Sequence, residues 1–396
     1  MKNSADLFDK FAALDETRKR LLGAGVNPFH VRMDRVKSAT EAVIGGRDVI
    51  LFGTNNYLGL TFDTACQEAA RAAIADEGTG TTGSRIANGT YALHQDLEAA
   101  IAEFFQRRSA IVFSTGYQAN LGVLAGLLGP GDTVLIDADN HASIYDGCRL
   151  SGADIVRFRH NDPADLDRRL GRIEAKARAM IVIEGVYSMM GDCAPLAEFA
   201  EVKQRHGAYM MVDEAHSLGI YGANGRGNAE SEGVEEAVDF VVGTFSKSLG
   251  AIGGYAVSNH PRFEILRLAS RPYMFTASPS PSNVASVLEA LRLISSTDAH
   301  RLRLWKNAAV LHREITALGL TICAAPGPII AVRLDDEAQA FGFWKRLLDL
   351  GIYTNLAIPP GTPNGISMLR CSVSAAHSDQ QIEQIIAAFA QVAGDV

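Results

Sequence analysis

The chain has 396 residues, 47% of them hydrophobic and 21% charged, with no low-complexity tract; that is a globular make-up, long enough for a large domain plus a smaller one. A net charge of −8 without a basic stripe excludes a nucleic-acid partner as the expectation, and the pair Arg168-Arg169, which follows Asp165 and Asp167, reads as a solvated helix face. Five scattered cysteines (Cys66, Cys148, Cys193, Cys323 and Cys371) with no CxxC argue against a disulfide framework or a metal site and suit a reducing cytoplasm; the polar, then amphipathic start is no signal peptide, and no run approaches the ~20 apolar residues of a membrane span.

Residues 5–23 carry Leu7, Phe8, Phe11, Leu14 and Leu21 at helical spacing, and 1–45 is expected to be an N-terminal helical segment. From about residue 46, short apolar runs alternate with amphipathic stretches. Strands are expected at 110–113, 133–136, 154–158, 180–183, 209–212 and 240–243, with helices at 116–128, 142–150, 164–176 and 195–206. Such alternation predicts an α/β fold whose mostly parallel sheet is covered on both faces. The large domain is placed at 46–285. A smaller C-terminal α/β domain at 286–396 would begin with a long helical region (285–318), continue with strands near 329–333 and 367–373, and end in a helix at 378–393. The N-terminal helix is expected to pack near it.

Folds of this kind hold ligands beyond the carboxyl ends of their strands, and the chemistry-bearing residues fall there. Lys247, in Thr244-Phe245-Ser246-Lys247, leaves the strand Phe240–Gly243 among hydroxyl residues and glycines. A desolvated lysine amine in such a turn suits imine chemistry, and Thr244 and Ser246 can donate to a phosphate. Asp213 ends another strand, with His216 close behind. An aspartate facing a pyridinium nitrogen, together with an imine-forming lysine, points to pyridoxal phosphate. Ser114-Thr115-Gly116-Tyr117 follows a strand and opens a helix, so its amides can hold a phosphate. His141, after a further strand, can stack on a ring. Taken singly each feature has a plainer explanation, such as a helix cap, a turn histidine or a polar loop. Their joint occurrence at successive strand ends is what makes them specific. Gly78-Thr79-Gly80-Thr81-Thr82-Gly83 matches GxGxxG but follows a helical pattern (63–76), not a strand, so it does not read as a dinucleotide site.

The chain resembles the α-oxoamine synthase family of fold type I pyridoxal-phosphate transferases. The likeness rests on Asn55-Asn56-Tyr57-Leu58-Gly59, Gly83-Ser84-Arg85, Ser114 to Tyr117, Asp139 to Ser143, Glu184 to Met189, Asp213 to Ser217, Gly225-Arg226-Gly227, Thr244 to Lys247 and Leu369-Arg370-Cys371-Ser372, and it runs from the first helix to the last. Residues 141–147, 157–161 and 271–276 look most like its soluble bacterial serine palmitoyltransferase branch. The resemblance implies Lys247 as the imine lysine, Asp213 on the pyridine nitrogen, His216 on the phenolic oxygen and His141 over the ring. It places Gly116, Tyr117, Ser188, Thr244 and Ser246 near the cofactor, has Thr276 reach the phosphate of a partner subunit in a homodimer with shared active sites, and puts Arg370 on the amino-acid carboxylate with Asn56, Thr82 and Ile358 near the substrate.

Two positions depart from that branch. Ile358 stands where it carries an arginine, and Thr82 where it carries an asparagine. The implied reaction condenses serine with a long-chain acyl thioester such as palmitoyl-CoA. Alanine, glycine or an acyl-carrier-protein donor is the alternative, and a lysine-lacking, non-catalytic partner subunit is disfavoured by Lys247, Asp213 and His141 together. A cytoplasmic enzyme is expected, with loose contact at the inner membrane face allowed by a long-chain product.

Overall fold

The computed structural model describes residues 6–23, 27–173 and 178–394. Its centre is a seven-stranded sheet built from β1 (Ser109–Phe113), β2 (Asp132–Asp137), β3 (Asp154–Phe158), β4 (Arg178–Glu184), β5 (Tyr209–Asp213), β6 (Phe240–Thr244) and β7 (Gly254–Ser258). The order across the sheet is β1-β7-β6-β5-β4-β2-β3. All neighbours run parallel except β7, which pairs antiparallel with both β1 and β6. The six expected strands are all present, so the mostly parallel sheet holds. β7 was not read from the sequence: its run, Gly254-Tyr255-Ala256-Val257-Ser258, is short and follows the lysine turn with no helix between.

Alternate side chains leave opposite faces of a strand, and both faces here are buried. Ile111, Val134, Ile136, Val182, Met211 and Val242 enter one apolar cluster, while Val112, Leu135, Ile181, Ile183, Val212 and Val241 enter the other. That is why these strands are continuous apolar runs rather than alternating ones. Each fully buried valine, isoleucine or leucine contributes roughly 1.5–3 kcal/mol by leaving water. Polar residues begin where the runs end, at the carboxyl edge of the sheet.

Helices α1 (Gly116–Leu127), α2 (Ala142–Ser151), α3 (Pro163–Leu170) and α4 (Leu196–His206) occupy the expected places. α3 stops at Leu170 instead of running to 176, because the chain turns at Gly171; residues 174–176 of that expectation lie outside the described residues, as does residue 5 of the first helix. That first helix spans Ala12–Gly23 after a short 3-10 turn, and Arg20 donates to Glu337 of the C-terminal region. The stretch behind it forms strands Arg35–Val36 and Glu41–Ile44 rather than more helix. The long helical region is two helices, Pro281–Ser296 and Ala299–Ala317, broken at Thr297-Asp298. Beyond them Ile329–Leu334 and Ser367–Ser372 pair antiparallel, and the chain ends in helix Asp379–Gly394.

One junction positions part of the site. Strand Ile352–Tyr353 pairs parallel with Arg47–Leu51, and Ser372 N donates to Phe52 O at 2.9 Å while Ala375 N donates to Tyr57 O at 2.7 Å. The Asn55–Tyr57 turn is thereby laid against the strand that carries Arg370. Among the described residues no helix is long and apolar enough to cross a membrane.

Candidate active site

A cavity of about 260 Å³ opens at the carboxyl edge of the sheet, lined by residues that include Gly116, Tyr117, Asn120, His141, Glu184, Asp213, His216, Thr244, Ser246 and Lys247. They come from the carboxyl ends of β1, β2, β4, β5 and β6 and the turns or helix that follow. The Lys247 side chain is partly exposed to this space, and among the described residues its amine has no hydrogen-bond partner. Burial pushes its pKa down to about 8, against the opposing pull of the Asp213 and Glu184 carboxylates. A neutral amine is therefore within reach at physiological pH, as a nucleophile or base requires.

Asp213 ends β5 and is buried. Its Oδ1 accepts from Ala215 N at 2.9 Å and its Oδ2 from Asn120 Nδ2 at 2.7 Å. The following loop is locked by Glu214, which accepts from the amides of Asn228 and Ala229 at 2.9 Å each and from Ser217 Oγ. That lock fixes the direction in which Asp213 and His216 face. Glu184 ends β4, is buried, and accepts from His141 N. Burial, reinforced by the Asp213 charge, raises its pKa well above the carboxylate range, with the Lys247 charge opposing the shift.

His141 caps α2: its Nδ1 accepts from Ser143 N at 3.2 Å and lies 2.7 Å from Ser143 Oγ. Because Nδ1 is an acceptor there, the ring is neutral with its proton on Nε2. Burial lowers its pKa, with the Lys247 charge adding to the effect and Asp213 opposing it. His216 is held neutral more strongly, by burial and then by the positive charges of Lys247 and Arg370.

At one end of the cavity α1 begins at Gly116, capped by Thr115 Oγ1 accepting from Gln118 N at 3.1 Å. The amides of Gly116 and Tyr117 have no acceptor within the helix. A Cβ on Gly116 would come within 2.6 Å of Thr244 Cβ, so only glycine lets the helix start approach β6 this closely. Thr244 Oγ1 lies 3.0 Å from Ser246 Oγ, which is exposed to the cavity. The Tyr117 ring is exposed and its hydroxyl donates to Asp146. Thr276 does not line the cavity; it accepts from Gln118 Nε2 at 3.1 Å on the same helix start.

Arg370, 6% exposed, does not itself line the cavity; it connects to it through Tyr57, whose hydroxyl touches the cavity residue His216. Arg370 Nε donates to Ser188 O at 3.0 Å, one terminal nitrogen to Asn55 Oδ1 at 2.7 Å and to Ser372 Oγ, and the other to Tyr57 OH at 3.1 Å. All four acceptors are neutral, so this buried guanidinium has no anion of its own among the described residues. Ser188 enters through its main-chain carbonyl. Asn56 turns away, donating to Thr61 Oγ1 at 2.6 Å; its neighbour Asn55 makes the arginine contact. Ile358 is buried and does not line the cavity. Thr82 is exposed, with φ +59°, left-handed backbone that a β-branched residue resists and an asparagine accepts more readily. The GxGxxG stretch follows helix Thr64–Glu77, as its pattern indicated.

Sequence reading did not single out Asn120, Glu184, Asn55 or Tyr57. Glu184 and the Asn55–Tyr57 turn sat inside motifs that were noticed for other residues. Asn120 is one turn into an apolar helix, where nothing marks it until it meets Asp213.

The class I and II aminotransferase family model matches residues 47–389, and the chain belongs to that family. It is 53% identical to a serine palmitoyltransferase of Caulobacter vibrioides, over 98% of this chain and 96% of that one. The structure of a serine palmitoyltransferase from Sphingomonas wittichii superposes with a TM-score of 0.96 at 52% identity, covering 99% of this chain and 100% of that one. Another structure of such an enzyme, described as holding pyridoxal phosphate as an internal aldimine, gives 0.96 at 50% identity over 99% of this chain and 100% of the other. The resemblance to the serine palmitoyltransferase branch, and the fold type I architecture, are thus borne out.

Proposed function

We propose that the chain uses pyridoxal 5′-phosphate to condense L-serine with palmitoyl-CoA, losing carbon dioxide and free coenzyme A and giving 3-ketodihydrosphingosine, the first step of sphingolipid synthesis. One observation carries the reading: an unpartnered, easily deprotonated lysine shares a cavity with a buried aspartate, and a buried arginine without an anion sits one tyrosine away.

The residues fit that cofactor. Its phosphate suits the α1 start at Gly116 and Tyr117 with Thr244 and Ser246, because free amides and hydroxyls there supply donors. His141, which lines the cavity, would cover its ring. Asp213, held by two donors, would keep the ring nitrogen protonated, and His216 would serve the phenolic oxygen. When bound, the cofactor withdraws electrons from the amino acid's Cα and so eases loss of its proton and of its carboxyl group.

The chain's own groups do the rest. Arg370 offers its fork to the serine carboxylate, trading neutral acceptors for an anion, and Asn55 and Tyr57 hold the fork in place. Lys247 Nζ takes the Cα proton and returns a proton at the end of the cycle. His141, with Nε2–H directed away from its capped Nδ1, covers the reacting face and orients the carboxylate. Thr276 is assigned to a neighbouring cofactor's phosphate across a homodimer interface. A homodimer by sedimentation supports that assignment; a fully active monomer opposes it. The cytoplasm suits five unpaired cysteines. Contact with the inner membrane face rests only on the long-chain product.

The test is direct. Purified chain supplied with cofactor, L-serine and palmitoyl-CoA should yield 3-ketodihydrosphingosine by mass spectrometry, with less product from alanine or glycine. Product from alanine but not serine would assign the departures at Thr82 and Ile358 to a different amino-acid specificity.

A further inference from the structure

Tyr57 lies between the two ends of the site. It is fully buried, and its hydroxyl touches three groups: Arg370 donates to it at 3.1 Å, Asn55 Oδ1 lies at 3.2 Å, and His216 Nδ1 lies at 2.7 Å. The Tyr57 and His216 rings meet edge to face with centroids 6.0 Å apart. His216 lines the cavity, and among the described residues its Nε2 has no partner.

The phenol has one proton and two places to put it. If it goes to Asn55, His216 must donate from Nδ1, and Nε2 is left bare toward the cavity. If it goes to His216 Nδ1, Nε2 carries the hydrogen and donates into the cavity. The shorter contact is to the histidine. Arg370, by donating to the phenolic oxygen, polarises the O–H and makes it a better donor. Burial keeps the phenol protonated, with its pKa raised, and keeps His216 neutral, so the choice is one of tautomer and not of charge.

We propose that Tyr57 is a positioning residue that holds His216 in the tautomer donating from Nε2 into the cavity, and that it couples this tautomer to occupancy of Arg370 by the amino-acid carboxylate. The inference rests on the functional reading above. A carboxylate on Arg370 competes for its N–H groups and offsets its charge, which weakens its hold on Tyr57 OH. The hydrogen bond from His216 to the cofactor's phenolic oxygen then changes with substrate binding. Amino-acid recognition at one end of the site would thus be reported electronically at the other.

The experiment is a pH titration of the visible absorbance of cofactor-loaded protein, with and without L-serine, for wild type, Tyr57→Phe, His216→Ala and the double variant. Tyr57→Phe removes one oxygen and should still load cofactor. Its absorbance midpoint should move by at least about half a pH unit, and its serine dissociation constant, read from the same spectra, should rise roughly tenfold. In the His216→Ala background the Tyr57→Phe shift should vanish. Asn55→Ala, which leaves the Tyr57–His216 bond intact, should keep the wild-type midpoint while weakening serine binding. A purely structural role would lower thermal stability without moving the midpoint. An unchanged midpoint in Tyr57→Phe, or additive shifts in the double variant, overturns the coupling while the functional reading stands. A wild-type protein that takes up no cofactor overturns both.

Discussion

Asn120 gives one amide hydrogen to Asp213 Oδ2 at 2.7 Å and the other to Ser143 Oγ at 2.9 Å. Ser143 Oγ in turn lies 2.7 Å from His141 Nδ1. One buried amide thus fixes both the carboxylate assigned to the ring nitrogen and the hydroxyl that sets the histidine over the ring. Asn120→Ala should leave the fold intact and cost about 1.5–3 kcal/mol through the lost charge-assisted bond. Asp213→Asn should lower turnover on the order of 10²–10⁴-fold. Circular dichroism and steady-state kinetics separate the two; near wild-type turnover in Asp213→Asn would reduce Asp213 to a loop cap.

Lys247 titrates near 8, lowered chiefly by burial. The amine is charged below that pH and neutral above it. Cofactor-free protein should therefore capture added pyridoxal phosphate faster as pH rises through about 8, with a plateau beyond. Stopped-flow absorbance reads the rate. Lys247→Ala should show no such pH dependence and no turnover, and measurable product from it would remove Lys247 from the base role.

Position 358 is a buried isoleucine, so the carboxylate site proposed at Arg370 gains no second guanidinium there. Arg370→Ala should weaken serine binding by roughly 10–100-fold. Arg370→Lys should restore little, since an ammonium cannot engage Ser188, Asn55 and Tyr57 as a planar fork does. Ile358→Arg should tighten serine binding if the loop after Asn355–Ala357 brings a second guanidinium to the same carboxylate. Spectral titration with serine, alanine and glycine measures all three.

Thr82 holds a backbone conformation, φ +59°, that costs a β-branched residue of order 1 kcal/mol or more. Thr82→Asn should raise stability by about 1 kcal/mol. Calorimetric unfolding checks this, and an unchanged or lowered melting temperature would count against the strain.

His160 bridges two carboxylates, Asp137 at 2.8 Å and Asp192 at 2.7 Å, and its ring meets Tyr187 edge-on. It ties the loop that carries His141 to the loop that carries Ser188. Burial alone would lower its pKa, but the hydrogen bonds and charges of Asp137 and Asp192 outweigh that and raise it to about 10. A raised folded-state pKa gives stability that is full below the ordinary histidine value of about 6.5 and lost as pH rises through the folded value. His160→Gln should therefore be less stable than wild type by roughly 1–3 kcal/mol near pH 6, and the gap should close toward about pH 10. Urea midpoints at pH 6, 8 and 10 read it; a constant gap would show that His160 acts by packing alone.

The sequence by itself determined the sheet and the chemistry at its edge. Apolar runs such as Met180 to Ile183 can only be strands buried on both faces, and where each run ends a polar residue must meet the open edge. Lys247, Asp213, His141 and the Gly116 turn were legible for that local reason. Tertiary structure alone decided which groups those residues face. Burial is not a local property: the lowered pKa of Lys247 and the raised pKa of Glu184 come from several loops closing over one space. The insertion of β7 against the sheet's direction left no periodicity to read. The choice of Asn55 over Asn56 for Arg370, and the Arg370–Tyr57–His216 chain, join positions separated by up to 315 residues. They exist only because strand Ile352–Tyr353 pairs with Arg47–Leu51 and brings the two ends of the chain together over the sheet.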